Sequence, residues 1–243
     1  MEVHAHTHSP RKKWTHYFWE FLMLFLAVFC GFLAENQREH MVERRREKQY
    51  IRSMIDDVKA DSVHLTMIIN DFKNISLALD TLNKEFPLLN KGFSPPVFRN
   101  IVYLMGFEDF IPNDRTLQQL KNAGGMRLIR NKEISDSIMQ YDKMIKDILI
   151  EQASIWDIVL RFRNIGEIAD TRWWNGDNDA NMIKYILENR DILINHDRTI
   201  LSKYQMWLLL YQSTLPNYLS QLKQVRAYGV RLINFIQHEY HLK

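Results

Sequence analysis

Residues 51–86 read IRSMIDDVKADSVHLTMIINDFKNISLALDTLNKEF, and an apolar side chain recurs at every seventh position: Ile51, Val58, Leu65, Phe72, Leu79 and Phe86. Met54, Ile68, Ile75 and Leu82 fill a second register three residues further on. Alternating steps of three and four draw a single apolar stripe down one side of an α-helix, here sustained for about five heptads. Asp61 is the exception in the second register. Such a seam packs on sister helices of the same chain or on another subunit. The chain offers three further helices, so an intramolecular bundle is the expected solution. Asp61 then needs a partner or a wet position.

Upstream, no proline or glycine occurs between Ala34 and Phe86, so one helix can run through the whole stretch. Its beginning, YFWEFLMLFLAVFCGFLA at 17–34, is apolar on every face, with Glu20 as its only charge. As a helix it is about 27 Å long, close to the thickness of a hydrocarbon core. Trp14, Tyr17 and Trp19 sit at one end, where an aromatic belt forms, and Arg11, Lys12 and Lys13 precede them. Phe32 stands where signal peptidase needs a small residue, so an uncleaved anchor is expected. Glu20 lies within a turn of the boundary and can reach the headgroups.

Two counts bear on orientation. Three basic residues lie tightly before the span, and Arg38, Arg44, Arg45, Arg46 and Lys48 follow it, diluted by Glu35, Glu39, Glu43 and Glu47. The raw count favours a cytoplasmic bundle. The tight N-terminal cluster favours an N-terminus inside and a bundle on the periplasmic side of a bacterial inner membrane, and it is given precedence. Residues 35–50 read as a solvated stalk. Arg11, Lys12, Lys13, Arg44, Arg45 and Arg46 are the candidates for contact with lipid headgroups.

Downstream of Phe86, FPLLNKGFSPP breaks the helix. A short helix is expected at 97–106. Pro112 and Asn113 open another, with Asn113 or Asp114 as cap, ending at Gly124 and Gly125 in a left-handed turn. Asn131 caps a long helix to about Asp170. Its stripe includes Ile134, Ile138, Tyr141, Ile145, Ile148, Ile155, Val159, Phe162 and Ile165, with a gap around Gln152. A polar loop, WWNGDNDAN, precedes a helix at 182–193. The last helix spans about Thr199 to Tyr240, with Pro216 expected to kink or divide it. The predicted organisation is a disordered histidine-rich and basic tail (1–16), a transmembrane helix (17–34), a charged stalk (35–50) and a helical bundle (51–243). The fold class is all-α: a single N-terminal transmembrane helix continuing into a long stalk helix and an antiparallel bundle.

The segments FLMLFLAVFCGFLAENQRE (21–39), EKQYIRSMIDDVKAD (47–61), LKNAGGMRLIRNKEISDSI (120–138) and LINFIQHEY (232–240) together resemble an uncharacterised family of single-span bacterial membrane proteins typical of Bacteroidota. The resemblance implies an inner-membrane anchor and a helical fold. It brings no catalytic residue.

Chemistry is sparse. A formal charge of +3 over 243 residues, with the excess beside the apolar run, argues against nucleic acid as a partner. The single cysteine, Cys30, lies in the apolar run, which rules out a disulfide scaffold or thiolate metal site in the bundle. There is no phosphate loop, nucleophile elbow, paired-histidine zinc helix or Glu-x-x-His bundle motif. His4, His6 and His8 alternate in the tail, a spacing that chelates metal adventitiously. Asp177, Asp179, Asn181 and Glu188 occupy positions one, three, five and twelve of a calcium loop, but Met182 stands where that loop turns on glycine. Capping and the helix dipole account for the same acids. Trp173 and Trp174 either close the end of the core or anchor a partner. The expected function is a membrane-tethered protein-interaction or scaffold module without enzymatic activity or cofactor. Its partners are the bilayer and a protein or a second copy of itself. The alternative is a sensory or small-ligand-binding bundle.

Overall fold

The computed structural model describes residues 14–86, 100–101, 103–122, 124–168, 184, 188 and 195–242. It contains four long or regular helices: α1 (Trp14–Glu85), α2 (Arg115–Asn122), α3 (Lys132–Phe162) and α4 (Arg198–Glu239). Short 3-10 turns at Gly125–Leu128 and Arg163–Glu167 flank α3. No strand occurs among the described residues, and the fold is all-α, as the periodicity requires. The chain divides into two compact units, Met1–Tyr50 and Ile51–Lys243, with the boundary inside α1.

In the first unit, α1 begins at Trp14, so Trp14 to His16 are helical and do not belong to the tail expected at 1–16. The rest of that tail, including His4, His6, His8, Arg11, Lys12 and Lys13, lies outside the described residues. The apolar run is long and apolar enough to cross a membrane, and none of it is buried against the rest of the chain. Phe21, Phe25 and Phe29 stack along one side, with centroid separations of 6.3 and 5.9 Å. Glu20 is not isolated: its carboxylate lies 3.0 Å from His16 Nε2. In the stalk, Glu35 accepts two hydrogen bonds from the Arg38 guanidinium.

In the second unit, three helices each bury one heptad seam. All the predicted positions from Ile51 on α1 to Phe86 just past its end are buried, Ile51, Leu65, Ile68, Phe72, Ile75, Leu79 and Leu82 completely. The α3 seam runs from Ile134 to Phe162 and the α4 seam from Leu201 to Ile236. Each fully buried aliphatic or aromatic side chain contributes roughly 1.5–3 kcal/mol of transfer free energy. The α1 stripe therefore finds its partners within its own chain.

The contacts fix the directions. The Tyr228 hydroxyl donates to Ser137 O at 3.2 Å, the Tyr218 hydroxyl to Gln152 Oε1 at 3.0 Å, and the Tyr204 hydroxyl to Asn164 O. Numbers fall on α4 as they rise on α3, so the two are antiparallel. The same holds for α1 and α4. Phe72 meets Tyr218 edge-on at 4.9 Å, and Asn83 Nδ2 donates to Gln212 Oε1 at 2.7 Å. Helices α1 and α3 are consequently parallel and need a long return between them. That return is visible from Tyr103 to α2, descending beside α1. Tyr103 bonds Asp71, Phe107 packs on Phe72, Phe110 on His64, Asn113 on Asp61 and Thr116 on Asp57. The bundle is up-down-up-down, with a second leg that is mostly not helical.

Most predicted boundaries stand. Asn131 caps α3, accepting from Glu133 N and Ile134 N at 3.0 and 3.3 Å. Gly124 adopts φ +63°, the left-handed conformation expected after α2. Three details differ. Helix α3 ends at Phe162 and tightens into a 3-10 turn instead of continuing to Asp170. Pro216 does not divide α4, which runs unbroken from Arg198 to Glu239. Its hydrogen-bond loss is local, and hydroxyls of Ser213 and Thr214 bond carbonyls of the preceding turn, those of Leu210 and Tyr211. Nor does Asn113 cap α2. Its side chain turns to Asp61 instead.

Candidate functional site

The most developed polar constellation lies where the return segment crosses the bundle. Asp57 and Asp61 are four residues apart on α1 and so share a face. Both are buried, at 6% and 2% exposure. Asp61 Oδ1 accepts from the Asn113 backbone N at 2.7 Å and from Asn113 Nδ2 at 2.9 Å, and Oδ2 accepts from the Tyr141 hydroxyl at 3.0 Å. Asp57 Oδ2 accepts from Thr116 N at 3.1 Å, and its other oxygen lies 3.5 Å from the Arg115 guanidinium. One free N–H at the start of α2, that of Thr116, is thus capped by a carboxylate from another helix, where negative charge also complements the dipole.

Gln152 does the same work from α3. Its Oε1 accepts from Phe110 N at 2.9 Å and from the Tyr218 hydroxyl at 3.0 Å. The two polar interruptions of the seams, Asp61 and Gln152, thus both receive backbone N–H groups of the same irregular segment. Aromatic packing closes it. Phe107 stacks on Trp156 at 4.5 Å and tilts against Phe72, while the Trp156 indole donates to Asp109. A third cluster sits below. Lys121 and Lys146 flank the largely buried Asp142. Burial pushes the Asp142 carboxyl up, but the hydrogen bonds and charges of the two lysines outweigh it and hold the group below the usual carboxylate range.

Burial keeps the core tyrosines protonated. Desolvation first, and the Asp61 charge second, raise Tyr141 far above its ordinary value. Desolvation likewise raises Tyr204, Tyr211 and Tyr218, which are spaced by seven along α4. Tyr103, half in solvent, is pushed to about 12 by burial and its bond to Asp71. The hydroxyls of Tyr103, Tyr141, Tyr204 and Tyr218 are engaged in hydrogen bonds within the fold, that of Tyr211 is buried without one, and no three His, Cys, Asp or Glu side chains converge as a metal set among the described residues.

Of the residues singled out in the sequence, Arg44, Arg45 and Arg46 are exposed on α1. Glu188 lies on helix and its carboxylate is 3.9 Å from Lys184 Nζ, an i,i+4 pair of the kind an ordinary helix surface carries. Asp177, Asp179, Asn181, Trp173 and Trp174 fall outside the described residues, as does the break at 87–96. Sequence reasoning missed the acceptor roles of Asp57 and Gln152. Their signal was a buried-seam position or its neighbour occupied by a polar side chain.

The bundle surface adds two features. An open cleft of about 390 Å³ is lined by Arg52, Ile55, Asp56, Lys59, Gln237 and Leu242. Several large apolar side chains face solvent, among them Val63, Met67 and Leu77 on α1 and Met206, Leu209 and Leu210 on α4. No protein-family profile, curated protein or solved structure matches this chain.

Proposed function

We propose that the chain is a single-span protein of a bacterial inner membrane, anchored by residues 17–34. Its helical bundle, on the periplasmic side, serves as a protein-interaction or scaffold module. One observation carries this reading. The apolar run of α1 buries nothing against its own chain, while the heptad seams of the bundle are filled by their own side chains and leave apolar residues on the outside. A helix with no internal partner for its apolar surface is stable in lipid. A bundle whose buried carboxylates Asp57, Asp61 and Asp142 are all engaged within it has its outer faces left for recognition. The resemblance of the quoted segments to single-span proteins of Bacteroidota supports the bacterial assignment.

The test is cross-linking and affinity recovery of the intact protein from membranes. A specific partner or a self-associated species is the expected result. A pure monomer with no partner overturns the reading. For the topology, a cysteine placed at Ser154 in a Cys30→Ser background should react with a membrane-impermeant maleimide in cells whose outer membrane alone is opened. Labelling only after full lysis places the bundle in the cytoplasm.

The cleft at Arg52 favours a second reading, a small-ligand-binding bundle. Its two cations, Arg52 and Lys59, outnumber its one acid, Asp56, and suit an anionic ligand. A thermal shift with inorganic phosphate that is abolished by Lys59→Met supports that reading over the first.

A further inference from the structure

On the solvent side of α1, opposite the buried seam, a second row of positions is spaced by three and four: Ala60, Val63, Met67, Asn70, Asn74 and Leu77. All six are exposed, Val63 and Met67 at 58% and Leu77 at 65%. The outer face of a bundle helix is where charge normally collects. Here the charges avoid the row. Lys59 and Lys73 flank it on one side, Asp57 and Asp71 on the other, and it meets a charge only at its ends, at Asp56 and Lys84. Single exposed apolar residues are ordinary. An uncharged row about 25 Å long, kept to heptad spacing, marks a helix-pairing face.

We infer that this row is the contact between two copies of the chain, paired in parallel about a two-fold axis running along α1. The inference rests on the membrane-tethered interaction reading, because a common N-terminal anchor points both copies the same way. Charge selects the occupant. In a parallel two-fold pair each position meets its own counterpart, so any charge in the row faces a like charge. This row carries none, which is what a self-contact requires and what a strongly acidic or basic partner does not match. Asn70 sets the register. A carboxamide is both donor and acceptor and satisfies a copy of itself, whereas opposite Val63 or Leu77 it is left unpaired. Its Oδ1 takes a 3.2 Å bond from Lys73 Nζ, and its own N–H groups remain available to the copy. Asn74 lies beside the Tyr103 hydroxyl, at the rim of the row.

The chain has one cysteine, so Cys30→Ser gives a clean background in the full-length protein. In membranes under mild oxidation, Asn70→Cys in that background should give a disulfide-linked dimer. Ser154→Cys, exposed on the outer face of α3, should not. Adding Met67→Glu places like charges across the axis and should cut the Asn70→Cys dimer yield about tenfold. Met67 is exposed, so the helical signal and melting temperature should hold and a folding defect is separable. Equal cross-linking from Asn70→Cys and Ser154→Cys, or a yield untouched by Met67→Glu, overturns the inference. A disulfide adduct of Asn70→Cys with a different protein, without the dimer, overturns the second-copy assignment but leaves the interaction module standing. A monomer with neither product overturns both.

Discussion

Asp61 on α1 and Tyr141 on α3 are joined by a 3.0 Å hydrogen bond at the centre of the bundle, and the same carboxylate holds Asn113 of the return segment by two more. A charged residue in an otherwise apolar seam is tolerated because every donor around it is aimed at it. Replacing it with the residue the heptad asks for should therefore do harm. Asp61→Leu strands the Tyr141 hydroxyl and two Asn113 donors, at a cost of about 3 kcal/mol or more, whereas Tyr141→Phe should cost about 1 kcal/mol. Chemical denaturation followed by far-UV circular dichroism measures both. An Asp61→Leu protein as stable as the parent contradicts the arrangement.

Gln152 provides an independent check on the return segment. In Gln152→Leu, the amide of Phe110 and the hydroxyl of Tyr218 lose their common acceptor. Amide hydrogen exchange should accelerate around residues 107–113 while the α1 and α4 seams keep their protection. Unchanged exchange at Phe110 contradicts the assignment.

At Gly229 a Cβ would lie 3.1 Å from Val58 Cγ1 and 3.3 Å from Tyr141 Cε2. Two other helices close on this one residue. Gly229→Leu should destabilise by about 1–3 kcal/mol or more through overpacking. For Gly229→Ala, the gain in helix propensity, about 1 kcal/mol, works against the tight contacts, so alanine should be much closer to the parent than leucine. Thermal melts of the two variants give the comparison directly.

The lysine pair on Asp142 predicts a pH dependence. Its folded-state pKa is lower than the ordinary carboxylate value of 3.8, so the native state binds its proton less readily than the unfolded chain. The stabilisation is complete above that ordinary value and is lost as pH falls through the lowered one. Lys121→Met should reduce stability at neutral pH and flatten the loss of stability in acid below about pH 4. A parallel offset, equal at every pH, tells against the pair.

Paired substitutions Leu24→Arg and Val28→Arg address the anchor. Each costs about 2.5–3.5 kcal/mol at the centre of a bilayer helix and should move the protein into the alkaline-carbonate-soluble fraction. Continued resistance to carbonate extraction speaks against a span at this position.

The seams were legible because burial on one side of a helix leaves a period in the sequence. Every predicted position on α1 is buried, and the two visible faults, Asp61 and the gap at Gln152, are where another segment docks. The identity of that segment was not legible. Glu108 to Asn113 has no period to read, because its backbone is satisfied by side chains distant in sequence instead of by its own turns. For the same reason the start of α2 reads as capped locally by Asn113 or Asp114, while the group that receives Thr116 N lies on α1. Of the two outcomes expected at Pro216, division does not occur, since the flanking turns of a 42-residue helix tolerate one missing bond. Of the candidate sites, the acids and tryptophans at 173–181 lie outside the described residues, while Arg44, Arg45 and Arg46 lie exposed on α1 and Glu188 forms an ordinary ion pair.

The closeness of Gly229 to Val58 has a consequence for biosynthesis. About 170 residues separate the two, so the α1 seam has no α4 to cover it until synthesis has passed residue 229. At elongation rates of about 5–20 residues per second that interval is roughly ten to thirty seconds. Throughout it, the stripe from Ile51 to Phe86, apolar but for Asp61, has no α4 to pack against. Exposed apolar surface of that kind is prone to aggregation, and a chain ended anywhere before α4 keeps it exposed.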